Sequence, residues 1–249
     1  LISKGEGCYL YDADGNRYLD MACGQLCAGL GHNHPELIRR IGEQMERLLH
    51  TGTHFLSPAV LEASEKVARV TPGDLNRSVF LSTGSEANEC AMRIAKTATR
   101  RTGMVGFTRG YYGISIGTRS VGMHISGQYS SSPRVPESTN MLSPDCRMCP
   151  VGARYPECEF LCLRASDEML RQQADNIAAF IVEPIISAGG MIFPPPGYFR
   201  QLRELADDYG ALIIADEAQT GFGRTGRWFA VEHWADRQAH AEEALPDIL

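Results

Sequence analysis

Apolar positions follow different periods in different parts of the chain. Leu37, Ile38, Ile41, Met45, Leu48 and Leu49 sit at helical spacing and predict a helix running from Pro35. A second helix is predicted over SPAVLEASEKVARV, with Ser57 as N-cap and Pro58 in the first position. Ahead of both, CYLYDADGNRYLD reads as a β-hairpin: two Tyr-bearing runs flank the turn dipeptide Asp14-Gly15. CGQLCAGLGHNHP is too broken by Gly and Pro to be regular.

From the middle of the chain onward, short apolar runs alternate with helical patterns. SVFLST, MVGFTR, AAFIVEP and ALIIADE are the predicted strands. EANECAMRIAK carries Ala87, Cys90, Ala91, Ile94 and Ala95 on one helical face, and PGYFRQLRELADDYG reads as a helix ending at Gly210. Residues 126–160, rich in Ser, Pro and Cys, read as irregular. Continuous apolar strands separated by helices indicate an α/β fold with a mainly parallel sheet covered on both faces. The predicted organisation is an N-terminal segment over 1–50 and a large domain over 51–249, interrupted by a Cys-rich excursion over 126–162.

Composition narrows the function classes. Hydrophobic content of 43% and charged content of 22% are ordinary for a soluble globular chain. A net charge of −6 disfavours a nucleic-acid partner, and no apolar run reaches the length of a membrane span. No targeting segment is visible, so a cytoplasmic location is expected, or a mitochondrial one if a segment precedes Leu1. The eight cysteines are expected as reduced thiols. Four of them, Cys146, Cys149, Cys158 and Cys162, are either a structural zinc set or free thiols. His32 and His34 are expected to be structural.

Folds of this class place ligands at the carboxyl ends of parallel strands. Three such ends carry candidate chemistry. Gly84-Ser85-Glu86-Ala87-Asn88 opens a helix, where free N–H groups and the positive dipole suit a phosphate, or where the helix start is merely capped. Asp216 ends the apolar strand ALIIAD, as the partner of a cationic ring nitrogen or as an ordinary loop carboxylate. Gly221, Gly223 and Gly226 with Arg224 make a weaker phosphate signal. Tyr111 and Tyr112 beside Gly113 offer aromatic faces for a planar ligand, although such pairs also serve as core.

Taken in order, LSTGSEAN, GYYG, IVEPIISAGG and IADEAQTGFGRTG resemble the class III (ornithine or ω-amino-acid type) aminotransferases of fold type I. The resemblance covers essentially the whole chain. Within the class it is most similar to 2,2-dialkylglycine decarboxylase, through CGQLCAGLGHNHP and FIVEPIISAGGMI. The resemblance implies pyridoxal 5'-phosphate (PLP) as cofactor, an amine donor and a keto acid acceptor as substrates, and a homodimer or tetramer with sites at the subunit interface. It implies that Gly84 and Ser85 cradle the phosphate, that Asn88 lies beside the cofactor, and that Tyr111 stacks on the pyridine ring. Asp216 would pair with the pyridinium nitrogen and Gln219 with the ring 3-oxygen. Glu183 would lie near the substrate and pair with an arginine gate, and Gln25 would contact a carboxylate to be lost.

Two departures bear on decarboxylation: Ala188 replaces the second serine after Glu183-Pro184, and Tyr111-Tyr112 stand where the relative has Trp-His. The readings are a transaminase coupled to decarboxylation, an ordinary ω-amine or ornithine-type transaminase, and a non-catalytic chain. Lys4, Lys66 and Lys96 match no Schiff-base position, and the chain ends at Pro246-Asp247-Ile248-Leu249, where the family's lysine would follow. A chain truncated before that lysine and before a C-terminal domain is expected, itself inactive. Residues 232–245 read as longer than the family's loop there.

Overall fold

The structure is a computed structural model describing residues 1–52, 54–122, 134–234 and 244–249. Residues 126–133 of the predicted excursion and 235–243 of the long loop lie outside the described residues. The chain forms two compact units, Leu1–Val67 and Ala68–Leu249.

In the first unit, β1 (Ile2–Glu6), β2 (Tyr9–Asp12) and β3 (Arg17–Leu19) form an antiparallel sheet in that order. The hairpin predicted about Asp14-Gly15 is β2–β3, with Gly15 at φ 86°. Asp12 holds the turn by accepting the backbone N–H groups of Asp14 and Asn16 at 3.0 and 2.9 Å. Cys23, Gly24, Gln25 and Leu26 all take positive φ. This left-handed turn is held at its start by Asp20, whose carboxylate accepts the N–H groups of Ala22 and Cys23 and pairs with His32 at 2.7 Å. His32 is thus structural, as expected. α1 (Pro35–Arg47) and α2 (Pro58–Val70) form where periodicity places them, but neither helix buries a residue.

In the second unit, α3 (Gly84–Thr99), β4 (Gly103–Phe107), α4 (Ile116–Val121), β5 (Ser138–Met141), α5 (Leu161–Leu170), β6 (Ile177–Val182), α6 (Tyr198–Tyr209) and β7 (Leu212–Ala215) follow in order. The sheet order is β5-β4-β6-β7, and every pairing is parallel. β4 and β6 are buried at every residue, which explains their unbroken apolar runs. One core packs Phe107, Phe180, Tyr198 and Leu202 between the sheet and α6; another packs Met92 and Ala95 of α3 against Met104, Ile181 and Ile214. Two expectations fail here. SVFLST forms no strand, and its Val79, Phe80 and Leu81 are 65%, 49% and 48% exposed. Conversely, the excursion is not wholly irregular, because STNM pairs with β4 as an edge strand. Its polar sequence carries no apolar run to announce it.

Candidate functional site

The carboxyl ends of β4, β6 and β7 meet the first turn of α3 around a cavity of about 460 Å³. Thr83, Gly84, Ser85 and Asn88 line it from the helix; Tyr111 to Ser115 from the turn after β4; Glu183 and Ile185 from the end of β6; and Asp216, Ala218, Gln219 and Thr220 from the end of β7.

The helix end presents hydrogen-bond donors to the cavity. Thr83 caps α3 by accepting the Glu86 N–H, and Glu86 returns a carboxylate to the Ser82 N–H at 3.0 Å. The N–H groups of Gly84 and Ser85 bond to no other described residue and remain as donors at the positive helix end. Ser85 Oγ accepts the Ile114 N–H at 2.9 Å, drawing the turn after β4 over the helix start. Gly113 permits that approach: its φ is 128°, and a Cβ there would fall 2.2 Å from Ser85 Oγ.

The strand end carries the opposite charge. Asp216 continues the sheet by donating its N–H to Val182 O, and its Oδ1 accepts the Ala218 N–H at 2.9 Å. Its Oδ2 accepts Asn88 Nδ2 at 2.7 Å, while the same amide nitrogen donates to Tyr112 O at 2.8 Å. Burial raises the Asp216 carboxyl above its usual range, and those two donors only partly oppose it. Among the described residues, no basic side chain is a partner of this carboxylate.

Glu183 is 6% exposed and pushed up to about 7, first by burial and further by the charge of Asp216. Its oxygens are held by the backbone N–H groups of Tyr111 at 2.8 Å and Ser187 at 3.3 Å. Glu183 braces two turns that line the cavity, and among the described residues its hydrogen-bond partners are these backbone groups.

Both tyrosines line the cavity: Tyr111 is half-buried, whereas Tyr112 is buried in the core and its hydroxyl oxygen accepts the Phe107 N–H. Gln219 lines the cavity and receives the Ser187 hydroxyl on its carbonyl oxygen. Gln25 belongs to the first unit and is exposed on the left-handed turn. None of the three lysines lines the cavity.

Two features escaped the sequence reading. Glu217, beside Asp216, is tied to Thr220 Oγ1 and to the Val231 N–H, and so anchors the loop that presents Gln219. The glycines at 221, 223 and 226 lie beyond that anchor and do not line the cavity. The Ser187–Gln219 contact joins two loops, and no sequence period could reveal it.

The zinc reading of Cys146, Cys149, Cys158 and Cys162 is not supported. Among the described residues, no group of three or more His, Cys, Asp or Glu is arranged to hold a metal. Cys162 sits in the first turn of α5 against the core, and burial pushes its thiol up to about 11.

The cavity fits PLP group by group. It offers free helix donors for a phosphate, a half-buried carboxylate with no basic partner among the described residues for a pyridinium, an aromatic wall, and an amide for a ring oxygen.

The sequence profile of the family described as "Aminotransferase class-III" matches residues 1–249. An acetylornithine aminotransferase of Methanopyrus kandleri is 35% identical over 100% of this chain and 57% of its own length. A leucine/methionine racemase of Thermococcus litoralis is 31% identical over 99% of this chain and 54% of its own. Among solved structures, a taurine:2-oxoglutarate aminotransferase from Bifidobacterium kashiwanohense, in complex with PLP and glutamate, superposes with a TM-score of 0.82 at 29% identity, over 94% of this chain and 53% of that one. The chain spans about half the length of the relatives it matches. The spread from transaminases to a racemase sets it in a class without singling out one reaction.

Proposed function

Because the chain belongs to the class III aminotransferase family, we propose that it forms the cofactor-binding part of a PLP-dependent aminotransferase. The reaction would move an amino group from an amine or amino acid donor to a keto acid. The observation that carries this reading is Asp216: a half-buried carboxylate at a strand end, with an amide partner and, among the described residues, no basic one.

Bound PLP supplies an electrophilic carbonyl and an electron sink for a carbanion beside the donor nitrogen. The chain's residues make that sink effective. Asp216 holds a proton on the ring nitrogen by charge, and Asn88 keeps the carboxylate aimed. Gly84 and Ser85 bind the phosphate through their N–H groups, fixing one end of the ring. Tyr111 stacks on the ring face and excludes water from it, and Gln219 donates to the ring 3-oxygen. Glu183 fixes the turns bearing Tyr111 and Ser187.

Decarboxylation of a dialkylglycine is the finer reading suggested by Gly24-Gln25, and Ala188 weakens it by removing a hydroxyl. Carbon dioxide release from 2-aminoisobutyrate with pyruvate, measured on the protein carrying this chain, separates it from ordinary ω-amine transfer. The cofactor reading is tested by titrating PLP into the purified chain. Saturable binding that Asp216→Ala abolishes supports it; binding indifferent to Asp216 sinks it.

A further inference from the structure

Ser187 sits in a tight turn after β6. Its carbonyl accepts the N–H groups of Gly190 at 3.1 Å and Met191 at 3.0 Å, and Ile186 and Ile192 bridge the base of the turn. The turn is clamped from outside the site. Arg147 Nη2 donates to Gly190 O at 2.7 Å. Asp145, 3% exposed, accepts Arg109 Nη1 at 2.8 Å and the N–H groups of Arg147 and Met148. Gly189 lies against Arg109, and a Cβ there would fall 2.1 Å from the Arg109 carbonyl oxygen. Little freedom remains for Ser187 to move as a backbone unit.

We propose that Ser187 is a positioning residue that sets which end of the Gln219 amide faces the ligand. This deepens the cofactor reading above and rests on it. The Ser187 hydroxyl donates to Gln219 Oε1, which commits the carbonyl end of the amide to the turn. The Gln219 NH2 group bonds to no other described residue and is left for the cavity it lines. The two ends of a glutamine amide are nearly equal in shape and opposite in hydrogen-bonding sense. Among the described residues, no other group bonds to either end of this amide. A flipped amide would set an acceptor against an electron-rich ring oxygen, turning an attraction into a repulsion.

The experiment is a double-mutant cycle read by PLP. Wild type, Ser187→Ala, Ser187→Thr, Gln219→Ala and the double variant Ser187→Ala/Gln219→Ala are compared by equilibrium dialysis against PLP. The absorbance of bound PLP is also followed against pH. Losing one neutral hydrogen bond corresponds to an affinity loss of about threefold to tenfold. Ser187→Ala is expected to lose that much and to raise the pH at which the bound ring oxygen loses its proton. Ser187→Thr keeps the hydroxyl and restores both. The double variant binds no more weakly than Gln219→Ala alone, since Ser187 acts through Gln219. Gln219→Ala weakening PLP while Ser187→Ala changes neither readout overturns the proposal. Fully additive losses overturn it too, since they describe two independent structural effects. A wild-type chain that does not bind PLP, with its fold shown intact by circular dichroism, overturns the cofactor reading and this inference with it.

Discussion

Asn88 Nδ2 donates to Asp216 Oδ2 at 2.7 Å and to Tyr112 O at 2.8 Å. One buried amide therefore links three segments: the first turns of α3, the turn after β4, and the end of β7. Asn88→Ala strands two acceptors that have little access to water. Leaving a buried polar group unpaired costs on the order of 1–3 kcal/mol. A loss of about 2 kcal/mol in urea unfolding is expected, with PLP affinity falling in parallel. An unchanged midpoint would show that the amide is not a linchpin of the site.

Glu183 gives the chain a pH signature. Its carboxyl is raised from 4.5 to about 7, chiefly by burial and then by the charge of Asp216. The folded state therefore holds a proton that the unfolded state has already released. The contribution of this group is fully present below pH 4.5 and is lost as pH rises through about 7. The loss is on the order of 3 kcal/mol. Other carboxylates titrate as well, so the comparison is with Glu183→Gln. The variant is expected to lose less stability than wild type between pH 5 and pH 8, by urea unfolding at each pH. Parallel curves would remove Glu183 as the source.

Much of this site is legible in sequence because strand ends and helix starts leave marks. IIAD announces a buried strand ending in a carboxylate, and TGSEAN announces a helix start with free donors. Both close on the same cavity. What sequence concealed lies in contacts between loops. Ser187 meets Gln219, and Glu217 ties to Val231, through chain reversals that no periodicity encodes. The same limit explains the strand errors. STNM is a strand because β4 offers it an edge, and SVFLST is none despite being apolar, since β-structure depends on a neighbour as much as on composition.

Gly113 is the position where sterics alone set how closely the turn after β4 approaches the start of α3. With φ at 128° and Ser85 Oγ 2.2 Å from any added Cβ, Gly113→Ala must push the turn away from the start of α3. Strain of this kind costs roughly 1–3 kcal/mol. The Ile114–Ser85 bond at 2.9 Å breaks with it, and the free N–H groups of Gly84 and Ser85 lose their cover. A lower melting temperature and a weaker response to inorganic phosphate as a competitor of PLP are expected together. A melting change without any phosphate effect would place the strain outside the anion site.

The clamp on the Ser187 turn is testable without any cofactor. Burial works against the charge of Asp145, yet the N–H groups of Met148 and Arg147, with the Arg147 and Arg109 guanidiniums, hold its carboxyl below the usual range. Asp145→Asn keeps the volume and removes the charge that holds Arg109 at 2.8 Å. Arg109 is 34% exposed and Arg147 is 64% exposed, so water compensates part of the loss. A destabilisation of about 1–2 kcal/mol is expected. The distinguishing readout is local. The Gly190 and Met191 amides, bonded to Ser187 O, should exchange faster with solvent deuterium, while the β6 amides at Ala179 and Ile181 keep their protection. Faster exchange throughout β6 would mean general loosening, and no change at 190 and 191 would mean that the turn holds without Asp145.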